Sequence, residues 1–299
     1  MTAWTRRNFL KHSTAAVMAT GPLLRRAAAG ARAADKPGAK MRFGLVTYLW
    51  GQDWDLPTLI ANCEKTGVLG LETRTEHAHK VEPSLSAAER LEVKKRFADS
   101  PVVFVGPGTN QQYDDPEPEK LAASIEGTKA FIKLSHDCGG SGVKVKPNSF
   151  HKNVPREVTI EQIGKSLNKV GAFAADYGQE IRLEVHGTCA ELPVIKSIMD
   201  LVDQKNVGVC WNCNAQDLQG EGLEFNFNLV KSRFGATAHV RELNINDYPY
   251  QKLIEMFVAM DYAGWILLEA RTKPADRIAA LIEQRKVFEE MVAKAQAKV

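Results

Sequence analysis

The chain has few cysteines, no long apolar run and no acidic residue in its first 33 positions, and each shortage removes a class of protein. Five cysteines, Cys63, Cys138, Cys189, Cys210 and Cys213, are an odd number at irregular spacing. No disulfide framework is expected, and folding must rest on the core. Cys210-Trp211-Asn212-Cys213 has C-x-x-C spacing, but no second knuckle accompanies it, which argues against a zinc or redox site. No apolar stretch reaches the roughly 18 residues of a membrane span, so no stable membrane insertion is expected. A glycine fingerprint for dinucleotides is also missing, because Gly106-Pro107-Gly108 is too short and is broken by proline. Basic excess is lacking once the N-terminus is set aside. The formal charge of +3 includes Arg6, Arg7, Lys11, Arg25, Arg26 and Arg32; beyond them stand 33 basic and 36 acidic residues, net −3, with no electrostatic footprint for nucleic acid.

What the N-terminus does contain is Thr5-Arg6-Arg7-Asn8-Phe9-Leu10-Lys11, a modestly apolar stretch over Ser13 to Leu24, and Ala31-Arg32-Ala33. This resembles a twin-arginine export signal with a small-x-small cleavage site. The expectation is a signal peptide over 1–33, a linker over 34–40 and a mature domain over 41–299, exported to the periplasm or another extracytoplasmic space. No cysteine precedes Cys63, which argues against a lipid anchor at the cleavage site.

The remaining chain, within a sequence that is 44% hydrophobic, alternates strand and helix patterns. Met41 to Tyr48, Gly70 to Arg74, Pro101 to Pro107 and Gly142 to Pro147 read as the first four strands. Glu180 to Gly187, the segments NVGVCWN and ATAHVREL, and Gly264 to Ala270 read as the last four. A helical pattern follows each, the first opening at Asp55 and stopping at Gly67. Eight such repeats predict a single-domain α/β fold, a (β/α)₈ TIM barrel.

In such a barrel chemistry gathers at the C-terminal ends of the strands. Strand two offers Glu72 and Arg74, then His77 and His79; strand four offers Lys144 and Lys146. Strand five carries Arg182, Glu184 and His186, while strand six ends in Asn212 with Asn214 beyond. Strand seven supplies His239, Arg241 and Glu242, and strand eight ends in Glu269 and Arg271. On strands four to seven the apolar residues take one parity and the polar set the other, as strands covered on both faces and lining a site would require. Glu184 and Glu269 stand at equivalent heights. Across a barrel mouth they could hold a hard divalent cation, act as an acid/base pair, or sit in an ion-pair network with Arg182, Arg241 and Lys146.

The segments LEVHG, GVCWNCN, HVREL and ILLEA, with RTEHAH after strand two, resemble the xylose isomerase-like TIM barrels over roughly Arg42 to Ala295. That resemblance implies a sugar isomerase or epimerase fold, with a divalent metal (Mn, Mg, Co or Zn) held by residues of strands five to eight. Carried over by position, Glu184 and Glu269 match the family's metal ligands, and Asn212 and His239, which lies two residues before the family's His position on the same face, are the candidates for the other two. The departures are Asn212, where the family has Asp, and Arg241, which falls where the family has its His. Either His239 or His186 supplies the nitrogen, or no metal binds and Arg241 takes its place between the glutamates.

The expected function is proton abstraction next to a carbonyl on a sugar or keto-sugar, giving isomerisation, epimerisation or elimination. Glu184 and Glu269 are the expected catalytic pair. Glu72, His77, His79, Lys144, Lys146, His186, Asn214 and Arg241 are the expected substrate contacts. Export argues against sugar phosphates. The alternative is a non-catalytic sugar-binding barrel that has lost its metal. A repair nuclease would need several zinc-binding histidines and is opposed by the net charge. The partner is thus a small sugar molecule, not nucleic acid, for a monomer or an oligomer.

Overall fold

A computed structural model describes residues 36–299, so the segment resembling an export signal lies outside the described residues. Eight parallel strands form a closed barrel in chain order: β1 Arg42–Val46, β2 Gly70–Arg74, β3 Val103–Gln112 and β4 Gly142–Lys146. They continue as β5 Glu180–Glu184, β6 Val207–Asn212, β7 Phe234–Val240 and β8 Trp265–Leu268, with β1 pairing to β8. The helices between them are α1 Leu56–Thr66, α2 Ala87–Ala98, α3 Pro118–Asp137 and α4 Arg156–Ala175. The second half contributes α5 Leu192–Asp200, α6 Leu223–Val230, α7 Tyr250–Ala259 and α8 Arg277–Gln296. None of these is long and apolar enough to cross a membrane.

Local chemistry sets the boundaries. Asp55 caps α1 by accepting from Thr58 N at 2.9 Å, and Gly67 ends that helix with φ 71°, a conformation other residues adopt only under strain. Ser86 and Glu89 form a reciprocal capping box that starts α2.

Strand alternation sorts side chains between two cores. Ile181, Leu183, Val209 and Trp211 point outward into the layer between barrel and helices, where each is buried. Burial of each such side chain contributes roughly 1.5–3 kcal/mol. The opposite parity points inward, where the apolar plug is small: Val46, Val105, Trp265 and Leu267. Gly70 is part of this arrangement, because a Cβ there would overlap the Trp265 ring.

The lower end of the barrel is sealed by Arg182. Its Nε donates to Glu180 Oε2 at 2.7 Å, one guanidinium nitrogen to Val105 O at 2.9 Å and the other to Ser141 Oγ at 2.7 Å. Arg182 therefore belongs to the floor of the barrel, away from the ring of groups expected at its mouth. It sits two residues before Glu184 on the same face, one layer deeper.

One strand differs from the sequence expectation. β3 does not stop at Pro107 but runs to Gln112. Gly106 adopts φ 142° at a register shift, which lets the strand pass the proline, and pairing resumes at Gly108 with Lys144.

Candidate active site

Strand parity carries Glu184, Asn212, His239 and Glu269 to the upper interior from β5, β6, β7 and the end of β8. His239 is fully buried and stands at the centre. Its Nε2 lies 3.3 and 3.4 Å from the two Glu72 oxygens, and its Nδ1 lies 3.6 Å from Glu184 Oε1 and 3.9 Å from Glu269 Oε2. Asn212 Nδ2 donates to Glu184 Oε1 at 2.8 Å. Lys144 Nζ is 2.7 Å from Glu184 Oε2, an ion pair without hydrogen-bond alignment, and donates to Thr109 O at 3.2 Å.

Titration follows from this packing. Burial pushes the Glu184 carboxyl up, but Lys144 and His239 outweigh it and hold it well below the usual carboxylate range. Glu72 is likewise pushed up by burial and brought down further by His239 and Lys144. Burial disfavours the His239 imidazolium, yet Cys210, Glu72 and Glu184 around it raise its pKa well above the ordinary value. Three carboxylates, one lysine and this histidine thus form one charge assembly.

Above it opens a cavity of about 640 Å³. Glu184, Asn212 and Glu269 form its floor, and Lys146, His186 and Asn214 its wall. Tyr48, Arg74, Gln216 and Arg271 make the rim. Lys146 is drawn down to about 8, chiefly by burial and by Lys144. His186 is also lowered by burial, and its Nδ1 is buried without a hydrogen-bond partner. Asn214 braces the wall, donating from Nδ2 to Val185 O at 2.8 Å and Asn212 O at 3.0 Å.

Five of the expected substrate contacts lie elsewhere. Glu72 and Lys144 are fully buried beneath the floor, where they hold His239 and Glu184. His79 organises a loop: Val81 N donates to its Nδ1, so its Nε2 carries the proton and donates to Arg74 O at 2.9 Å. Burial lowers His79 to about 4, which keeps it neutral in that role. His77 Nδ1 pairs with Thr47 Oγ1 at 3.0 Å, and that oxygen also accepts from Arg74 N. Arg241 is not part of the cavity lining and does not stand between the glutamates. Its nearest carboxylate is Asp247, at 3.9 Å, because β7 ends at Val240 and the alternation no longer directs the next side chain. The counter-charge expected from Arg241 comes from Lys144. Glu242 accepts from the backbone of Arg271 and Thr272 and shapes the loop after β8.

The floor fits a small divalent cation. Glu184, His239 and Glu269 each offer one ligand atom, all within 4.8 Å of one another. If the His239 proton sits on Nε2, facing Glu72, the Nδ1 lone pair faces the two carboxylates, and Nδ1 has no hydrogen-bond partner there. A carboxylate behind a histidine ligand is the usual means of fixing its tautomer. Two carboxylates and an imidazole suit Mn, Co or Zn.

Residues 60–291 match the family described as the xylose isomerase-like TIM barrel, and the chain belongs to it. No curated protein matches the sequence. Similar solved structures include an L-ribulose 3-epimerase, with TM-score 0.73 and 15% identity over 86% of this chain and 96% of that one. The apo 3-keto-D-glucoside 4-epimerase YcjR from E. coli has TM-score 0.70 and 14% identity, covering 84% and 99%. The IOLI protein with a binding zinc atom has TM-score 0.70 and 16% identity, covering 85% and 99%.

Proposed function

We propose that this protein is a sugar isomerase or epimerase that moves a proton next to a carbonyl. The observation that carries the reading is the convergence of Glu184 and Glu269 on His239 Nδ1 at the floor of a cavity large enough for a monosaccharide derivative. Glu184, held ionised by Lys144, is suited to accept a proton from the sugar carbon. Glu269, at 17% side-chain exposure, is open to the cavity and suited to act on the opposite face. His186, drawn toward its neutral form, can accept from or donate to a sugar hydroxyl, and Tyr48 offers an aromatic surface to the ring. A divalent metal held by Glu184, His239 and Glu269, with Asn212 beside them, would supply Lewis-acid polarisation of the carbonyl and its neighbouring hydroxyl. Membership of the family and the likeness to sugar epimerases support this reading.

The test is exchange of substrate carbon-bound hydrogen with deuterated water across a panel of ketoses, 3-keto-glycosides, keto-uronates and ketose phosphates. Wild type, with and without added manganese, should show exchange, and Glu184→Gln and Glu269→Gln should each lose roughly 10²-fold or more. Binding without exchange in every member of the panel would replace this reading with a non-catalytic sugar-binding barrel. We also propose export of the protein through residues 1–33, on the strength of Arg6 and Arg7. If replacing both with lysine leaves the protein in the periplasm, that part of the proposal fails.

A further inference from the structure

The cations around the cavity make no close ion pair, although Glu184 and Glu269 line the same space. Among the described residues Arg74, Lys146 and Arg271 have no carboxylate within 4 Å, whereas Glu184 is already paired with Lys144 below the floor. Arg74 and Lys146 both spend their charge on one neutral acceptor: each donates to Asn110 Oδ1 at 3.1 Å. Arg74 Nε is buried with no hydrogen-bond partner at all. Two positive heads converging on one amide oxygen leave guanidinium and ammonium donors over for the space a ligand would fill, while the buried Arg74 Nε stays out of a ligand's reach. Arg271 faces the same cavity from the loop after β8. A neutral sugar would leave these three cations without an ion-pair partner, and a cationic one would be repelled.

We infer that the sugar this cavity takes carries an oxyanion, a carboxylate or a phosphate, which Arg74, Lys146 and Arg271 bind while the sugar carbons face Glu184 and Glu269. The inference rests on the reading of the cavity as a carbohydrate site and deepens it to a substrate class: uronates or keto-acid sugars, with sugar phosphates in their place if the export proposed above fails. The guanidinium groups supply planar, forked donors that match such oxyanions. Proton abstraction would also gain, since the same cations oppose the negative charge that develops on an enediolate.

The experiment measures binding, by calorimetry at low and high ionic strength, of glucuronate, glucose 6-phosphate and glucose to the wild-type protein, and to Lys146→Gln and Arg271→Gln. Binding does not depend on turnover, so its outcome is separate from that of the deuterium-exchange test. At low ionic strength glucuronate or glucose 6-phosphate should bind about tenfold or more tighter than glucose, and the advantage should shrink with salt and in both variants. Whichever of the two anions holds the advantage identifies the oxyanion. Arg271 is exposed, so its replacement leaves the core intact and a lost preference there cannot be a folding defect. Equal affinity for all three sugars, binding of none, or a preference that survives both substitutions would overturn the inference.

Discussion

At the scale of single residues, the site is governed by which atoms each neighbour leaves free. His239 shows this, with one nitrogen facing Glu72 and the other facing two carboxylates. Behind the wall, Asp217 is fully buried, and its Oδ2 accepts from Tyr248 Oη at 2.8 Å and Asn214 N at 2.9 Å, while Oδ1 has no partner. Burial raises its pKa to about 7 against the opposing pull of these donors and of Arg241. Because the folded value lies above that of an unfolded aspartate, near ~3.9, the folded chain holds the extra proton between those two values. The stability this contributes is complete below about pH 4 and is lost as pH rises through about 7. Asp217→Asn removes the ionisation and keeps an acceptor, so urea unfolding should show wild type losing stability relative to the variant between about pH 5 and about pH 8. The loss should amount to a few kcal/mol, at ~1.4 kcal/mol for each pH unit spent between the unfolded and folded values. Parallel curves at the two pH values would show that Asp217 is not protonated in the folded protein. This residue gives no sign in the sequence: it lies in the turn after β6, and its burial follows from packing against Tyr248 rather than from any local pattern.

At the scale of elements, period-2 alternation makes most of the site legible in the sequence. Glu184, Asn212 and His239 lie within or at the end of regular strands, where parity decides which way a side chain points, and all three reach the interior. The limits appear where that regularity stops. Arg241 follows the last residue of β7 and turns toward Asp247, and His77 and His79 follow β2 and are spent on loop contacts. Tyr48 and Gln216 come from loops with no repeating pattern to mark them, whereas Arg74 ends β2 and Arg271 lies in the loop after β8, where position alone assigns no role. Proline reads as a stop in sequence, which ends β3 too early. The strand continues through Gly106, whose positive φ no other residue adopts easily and whose added Cβ would strike Gly142 O. Gly106→Ala should therefore destabilise the barrel by about 1–3 kcal/mol or more through backbone strain alone, measured as a lower urea midpoint. A variant that unfolds with wild type would mean that the strand passes its proline by other means.

At the scale of the whole molecule, barrel closure gathers charges far apart in sequence into one assembly, so a change at the floor is felt through β2, β4, β5, β7 and β8 together. A divalent ion entering between Glu184 and Glu269 would take the place of any proton on His239 Nδ1 and would stand close to the Lys144 ammonium. At such short range two like charges repel by several kcal/mol even with substantial screening. Lys144 is therefore expected to limit any metal affinity, rather than Arg241, which is absent from the cavity lining. We expect manganese titrated into chelator-treated protein to bind more tightly to Lys144→Met than to wild type, and no differently to Arg241→His. His239→Gln should bind more weakly, and Glu72→Gln should lose roughly 10–100-fold, because Glu72 orients the ligand histidine. Stability should move in step. Metal-free Lys144→Met leaves Glu184 buried without its cation and should lose roughly 3–5 kcal/mol. Saturating manganese should then return about 2.7 kcal/mol at a hundredfold excess over its dissociation constant, seen as a rise in melting temperature larger than in wild type. Unchanged affinity in Lys144→Met together with a gain in Arg241→His would show that the arginine, not the lysine, guards the metal position.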